Sequence, residues 1–404
     1  MKTDKKVMQM LSHNEAEVIP VVITLKDTVS SCHINDYCRL RKRDQHRSSL
    51  RGLKMMTGSY CRTTIEDLQR HPDIQYICFD YPVKAVLDVA TPAIGAVNVG
   101  QRVGVTGNDV GIAVLDTGIY PHRDLITPTN RLIAFKDFIN DRSEAYDDHG
   151  HGTHVAGCAA GNGRSSNGTY RGPSPRANLI GVKVLNKQGG GTISSIIAGI
   201  DWVIENRSRY GIQIMNVSLG ANPSTSYRHD PLTAACRKAW ISGVVVVAAA
   251  GNSGTGGSIV TPGIEPTIIT VGATNDQGSL NLREHTLARF SSRPPTVDGL
   301  DKPDVLVPGF DVVSLLAPES TLANVSAATE MIGRNYLSLS GTSMATGICS
   351  GAIALLKEAF PSATPDAIKT LLIESSRYLD HEGSTTGVMD IGEAFGIANY
   401  KWET

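Results

Sequence analysis

Five short apolar runs constrain this 404-residue chain more than any other feature: Val110–Leu115, Leu179–Val184, Ile212–Val217, Val244–Ala249 and Ile268–Val271. Strands that alternate in polarity leave one face in water, whereas runs apolar on both faces suit the buried strands of a parallel sheet. Helical patterns lie between and beyond them, at Thr153–Ala160, Ile193–Asn206, Pro231–Ser242, Ser343–Ala359 and Pro365–Ser375. Strands alternating with helices predict an α/β domain, a doubly wound, mostly parallel sheet with helices on both faces.

The first ninety residues have a different texture. Strand-like runs at Val18–Leu25, Ile74–Phe79 and Val83–Leu87 enclose two helix-compatible stretches, Asn35–Met56 and Thr64–Arg70. That order predicts a small α+β, ferredoxin-like domain. Val89–Gly107, with Thr91-Pro92, Gly95, Gly100 and Gly104, reads as a linker. The expected division is therefore 1–95 and 96–404.

Bulk charge removes several function classes. With a formal net charge of -1, the chain offers no general attraction for nucleic acid or an anionic membrane. Arg39, Arg41, Lys42, Arg43, Arg47, Arg51 and Lys54 form a basic patch that reads as a solvated helix face. The seven cysteines are odd in number and lack the close pairing of a zinc site. With no signal-peptide pattern after Met1, the expectation is a cytoplasmic protein, although an unusual export route would leave no mark.

Three motifs carry chemistry. Asp116 ends an apolar strand in Val114-Leu115-Asp116-Thr117-Gly118, at the carboxyl edge where open α/β sheets bind ligands. Asp-Thr-Gly also occurs in aspartic proteases, but that chemistry needs a second carboxylate, and no second copy exists here. In His151-Gly152-Thr153-His154, a metal pair would put both histidines on one helix face. The run lacks the glutamate a hydrolytic zinc site would want there, so His151 reads as a base and His154 as a buried structural residue. Ser343, in Gly341-Thr342-Ser343-Met344-Ala345-Thr346, precedes an apolar helix whose N-terminus favours a developing oxyanion. Alone, each motif has a plain structural reading: a strand-end acid, a helix-start histidine, a capping serine.

Together, and in the order Asp, His, Ser, they exclude the Ser, Asp, His order of α/β-hydrolases. Residues 110–395 resemble the subtilisin-like serine proteases, and the intracellular AprX-type branch most of all, through Arg171-Gly172-Pro173 and Gly181-Val182-Lys183-Val184-Leu185. Asn216-Val217-Ser218-Leu219-Gly220 and Ala248-Ala249-Ala250-Gly251-Asn252-Ser253-Gly254 resemble the family's two substrate-lining segments.

The resemblance implies a serine endopeptidase of broad specificity that needs no cofactor for its chemistry. Asn252 would be the side-chain oxyanion donor beside the Ser343 N–H. Ser218, Leu219 and Gly220, with Gly189 and Gly191, would pair with substrate as added strands. Small Ala249, Ala250 and Gly251 suggest a roomy first pocket, and Ile193 a second. The N-terminal domain would be a pro-segment that assists folding, blocks the cleft and is cut off near residues 88–100. Protein or peptide substrates and this pro-segment would be the only partners. Two departures stand out: Gly347 where the family has proline, and Pro294 where it commonly has glycine. Gly161–Gly168 lacks the family's calcium pattern, leaving structural calcium open, with Asp147 and Asp148 as candidate oxygen ligands. A peptide-binding protein without turnover and a metal hydrolase on His151 and His154 are the competing readings.

Overall fold

The computed structural model describes residues 2–13, 17–26, 28–29, 33–50, 54–79, 87–326, 330–379 and 386–402. Two compact units emerge, Met1–Lys84 and Ala85–Thr404.

In the smaller unit, helix α1 (Lys5–His13) precedes strand β1 (Ile19–Leu25). The hairpin β2 (Gln45–Leu50) and β3 (Met55–Tyr60), helix α2 (Arg62–Arg70) and strand β4 (Ile74–Phe79) follow. The strands pair antiparallel in the order β2-β3-β1-β4. Ile19, Val21, Ile23 and Leu25 alternate inward along β1, as a two-residue period requires, and meet Ile65 and Leu68 of α2 in the core. The helix expected over Asn35–Met56 is not formed. Its place is taken by a single 3-10 turn at Ile34–Asp36 and then by β2, which pairs with β3 across one irregularity between His46 and Ser48. That stretch holds too few apolar residues for their period to tell helix from strand, and cross-strand pairing decides. The basic patch therefore runs along a loop and a hairpin, where Arg41 pairs with Asp67 and Arg43 with Glu17; Arg51 lies outside the described residues. Of the strand expected at Val83–Leu87, residues 83–86 lie outside the described residues and Leu87 opens a helix.

The larger unit begins with α3 (Leu87–Ala93) and α4 (Ala96–Val103), where a linker was expected. Ala90, Ile94 and Val99 enter the main core, and Gly95 and Gly104 adopt positive φ at the helix ends. The glycines act here as helix punctuation. Residues 85–95 thus belong to this unit, whose boundary falls eleven residues earlier than expected. There follow β5 (Gly111–Asp116), α5 (Arg123–Ile126), β6 (Leu132–Asp137), α6 (His151–Ala160), β7 (Asn178–Lys183), α7 (Ile193–Tyr210), β8 (Ile212–Val217), α8 (Pro231–Ile241), β9 (Val245–Ala249) and β10 (Ile269–Asn275). Beyond these come β11 (Thr286–Leu287), β12 (Val305–Pro308), β13 (Val312–Leu315), α9 (Thr321–Val325), β14 (Met331–Ile332), β15 (Tyr336–Leu339), α10 (Thr342–Ala359), α11 (Pro365–Glu374) and α12 (Ile391–Trp402).

The main sheet runs β11-β10-β9-β8-β5-β7-β6, with β12 also on β10, and every pairing except that of β11 is parallel. From β5 the chain goes to one side for β6 and β7, then to the other for β8 to β10. That reversal leaves a crevice beyond the carboxyl end of β5. Helices α6 and α10 are buried almost throughout and cross closely. A Cβ on Gly347 would come 2.9 Å from both Cys158 Cβ and the Val155 carbonyl oxygen, so glycine sets the spacing of these two helices.

Candidate active site

The crevice gathers its side chains from three element ends. Asp116, fully buried at the end of β5, accepts on Oδ1 from His151 Nδ1 at 2.7 Å and from the Thr117 N–H at 2.7 Å. A carboxylate can only accept, so Nδ1 of His151 carries the proton and Nε2 of the neutral ring is left as an acceptor. His151 opens α6 after Gly150, whose φ of 103° makes the turn. Asp147 holds that turn rigid. It accepts from the N–H groups of His149, Gly150 and Thr153 and from the hydroxyls of Thr117 and Thr153, at 2.7–3.1 Å. Lys183, fully buried at the end of β7, donates to the Thr117 and Leu185 carbonyls and to Asp148, at 2.6, 2.9 and 2.7 Å.

Burial opposes protonation of His151, but the charge of Asp116 and its hydrogen bond outweigh burial and lift the imidazole above its ordinary value. His154, three residues on, is fully buried, bonds the Leu337 carbonyl through Nε2, and is pushed by burial down to about 3. It stays neutral and belongs to the core.

Ser343 is the second residue of α10. Its hydroxyl donates to the Ser218 carbonyl at 3.1 Å, and the Ser218 hydroxyl donates back to the Ser343 carbonyl at 3.1 Å. Across from it, Asn252 Oδ1 accepts from the Thr342 N–H at 2.9 Å and hydroxyl at 3.0 Å. With Oδ1 committed to the helix start, Nδ2 is left as the donor end of a side chain that lines the cleft.

The cleft beside these groups encloses about 580 Å³. Ser218, Leu219, Gly220, Ala249, Gly251, Gly189, Gly191 and Ile193 line it with His151, Asn252 and Ser343. Ala250 does not. The extended chain turns its side chain away, into a small core with Ile259 and Ile264. The first pocket is also less roomy than its small residues suggest. Val260 lines it and sits so close to Gly220 and Gly251 that a Cβ on either would collide with its methyls. Apolar spacing gave no signal for Val260, because it lies in a loop.

Residues 107–391 match the subtilase family, Peptidase_S8. The chain belongs to the subtilase family. It is 47% identical to the serine protease AprX of Bacillus subtilis (strain 168) over 310 residues, 74% of this chain and 69% of that protein. It is 35% identical to subtilisin DY of Bacillus licheniformis over 69% of this chain and 88% of that one. The solved structure of sphericase is similar at a TM-score of 0.57 and 29% identity, covering 70% of this chain and 88% of that chain. A cold-adapted subtilisin-like serine proteinase is similar at a TM-score of 0.55 and 28% identity, covering 70% of this chain and 88% of that chain. This subtilase is accordingly a serine endopeptidase acting on protein or peptide substrates.

Subtilase catalysis needs no cofactor, and calcium would serve structure alone. Asp147, Asp148 and Asp124 do not fit such an ion. Asp147 is saturated by the donors named above, Asp148 is tied to Lys183, and Asp124 accepts from the Ser165 N–H at 2.8 Å and the Tyr336 hydroxyl at 2.6 Å. Among the described residues no three His, Cys, Asp or Glu side chains converge as metal ligands.

Proposed function

We propose that Asp116, His151 and Ser343 are the catalytic triad of this endopeptidase, with Asn252 Nδ2 and the Ser343 N–H as oxyanion donors. The observation carrying this reading is the 2.7 Å bond from His151 Nδ1 to buried Asp116, which leaves Nε2 to receive a proton in a cleft shared with Ser343. The Ser343 hydroxyl rests on Ser218 and rotates about χ1 to bond His151 Nε2 when substrate enters. His151 takes the hydroxyl proton as Oγ attacks the scissile carbonyl. The oxyanion then forms within reach of Asn252 and the helix N-terminus. His151⁺ passes its proton to the leaving amine, and water repeats the cycle on the acyl-enzyme.

Gly189, Gly191 and Ser218–Gly220 offer backbone edges to an extended peptide. Main-chain pairing makes few demands on sequence, which supports broad specificity. Ile193, 42% exposed beside the cleft, serves a second apolar pocket. The N-terminal unit is read as a pro-segment that assists folding, inhibits the cleft and is removed by self-cleavage. A separate compact core supports that reading. Helices α3 and α4 take up 87–93 and 96–103, and between them the Ile94 carbonyl accepts from the Ile391 N–H at 2.9 Å, so cleavage is expected before Leu87.

Intact mass over time tests both halves, comparing wild type with Ser343→Ala and adding a serine-directed phosphonate to a parallel sample. Wild type should shed a fragment of roughly 10 kDa, the size of a small domain, and then carry the phosphonate adduct, while Ser343→Ala stays whole. An adduct without shedding would sink the zymogen reading alone. No adduct on protein that has shed its fragment would sink the triad, and the absence of both shedding and adduct would sink the active-protease reading.

A further inference from the structure

The larger unit carries a second cavity, of about 520 Å³, which the proteolytic chemistry does not use. Its lining comes from the amino ends of β5, β6 and β7, the opposite edge of the sheet from Asp116. Arg131, Arg171 and Arg176 line it against a single carboxylate, Asp109. No ion pair joins any of the three arginines to an acid among the described residues. The nearby acids are engaged elsewhere. Asp109 accepts from the Asn108 amide at 2.7 Å, and Asp124 is held by Ser165 and Tyr336. Glu358 accepts from the Thr106 and Gly107 N–H groups at 2.5 and 2.6 Å.

Each arginine stands on a fixed backbone. Arg131, 6% exposed, donates to the carbonyls of Ala160, Ala177 and Asp124. Arg171 opens the Arg171-Gly172-Pro173 motif, which the protease chemistry leaves unexplained. Its carbonyl accepts from Thr91, and the Gly172 N–H bonds the Gly161 carbonyl at 2.9 Å. Gly172 packs so tightly that a Cβ would lie 2.8 Å from the backbone of Ala159 and Gly157. The Arg176 N–H bonds the Thr106 carbonyl at 2.9 Å. Arg171 is half-buried, and burial lowers its basicity with no neighbouring charge to offset the effect. A half-buried guanidinium with no acid paired to it among the described residues is free to take an anion as its partner.

We propose that this cavity binds a small multivalent oxyanion, a phosphate or a polycarboxylate, between the guanidinium groups of Arg171, Arg131 and Arg176. Three arginines line the cavity against one lining carboxylate, and Asp124 offsets part of the charge of Arg131 only, so a net positive charge remains for an anion; the planar forks of arginine suit either oxyanion. The site is independent of the triad and lies on the other edge of the sheet.

The test uses the full chain with Ser343→Ala, which prevents self-digestion, and follows calorimetric binding and melting temperature. Inorganic phosphate and citrate are titrated separately against sodium chloride at matched ionic strength. A saturable signal with either anion, absent with chloride, is expected; which anion gives it identifies the source chemistry. Adding Arg171→Met should weaken binding about tenfold or more, as loss of a charged hydrogen-bond donor does. Arg176→Gln, at an exposed side chain, gives a second reading free of folding concerns and should weaken binding severalfold. A response equal to that of chloride, or both variants binding as tightly as their parent, would overturn the proposal.

Discussion

Replacing Asp116 by Asn isolates the electrostatic half of the proposed triad while keeping its shape. In the native site a fully buried carboxylate sits 2.7 Å from His151 Nδ1, and its charge and hydrogen bond overcome burial to raise the imidazole pKa. His151 acts as a base only when neutral, so kcat/KM rises with pH, with its acid inflection above the ordinary imidazole value of about 6.5. The same raised pKa stabilises the fold fully below the unfolded value, and that share is lost as pH rises through the folded value. Activity is thus gained across the window in which this stability is lost. In Asp116→Asn the two larger raising interactions go, while burial and the smaller lift from the Asp147 charge remain, so the inflection should fall below its native position. An amide can also hold the ring in the wrong tautomer, so kcat should fall about 10⁴-fold. The assay is kcat/KM on a chromogenic peptide from acid to alkaline pH, for both proteins. An inflection that does not move in the variant would refute the assignment of His151 as the titrating base and Asp116 as the cause of its shift.

Asn252→Ala should lower kcat about 10²–10³-fold with little change in KM, because its donors act on the oxyanion and not on bound substrate; steady-state kinetics checks this. Val260→Ala removes two methyl groups from the first pocket, worth about 1.5 kcal/mol of apolar contact at ~0.8 per carbon. Preference should move roughly tenfold toward larger residues before the cut, read from paired peptides. Lys183→Met leaves Asp148 and two carbonyls without their ammonium and should cost about 3 kcal/mol, the low end for breaking a buried pair since Asp148 is 27% exposed. Urea unfolding in the Ser343→Ala background measures it. Chelator should leave the melting temperature unchanged, since Asp147, Asp148 and Asp124 are already satisfied by protein donors; a drop that calcium restores would contradict that reading.

The parts of the fold legible from sequence were those where a period is strong and burial decides. The five apolar runs became β5, β7, β8, β9 and β10 to within two residues at their starts, because strands covered on both faces admit little else. Strand β6, reading Leu132–Asp137, escaped because its exposure is mixed and it lies at the sheet edge. Asn35–Met56 failed for a related reason. A polar stretch takes its form from its partner strand, and β3 supplies that partner only in three dimensions. Residues 87–103 failed because glycine marks a helix end as readily as a linker, and only the burial of Ala90, Ile94 and Val99 separates the two.

The site shows the same divide between what a motif names and what packing determines. Asp116, His151, Ser343 and Asn252, the proposed catalytic set, were singled out by their motifs, since each stands at a strand end or beside a helix start where only a few residue types serve. What fixes them could not be read there. Asp147 read as a candidate calcium ligand and is instead the acceptor that shapes the turn before His151, a role set by five donors from two separate stretches of chain. Gly347 makes the point sharpest. From sequence, glycine in an early helix turn implies looseness. In the fold it allows α10, which carries Ser343, to pack against α6, which carries His151, with no room for even a Cβ between Cys158 and the Val155 carbonyl. Proline there would have to displace α6 or α10 and with it one member of the proposed triad. The family's usual residue is therefore incompatible with this chain's own helix spacing.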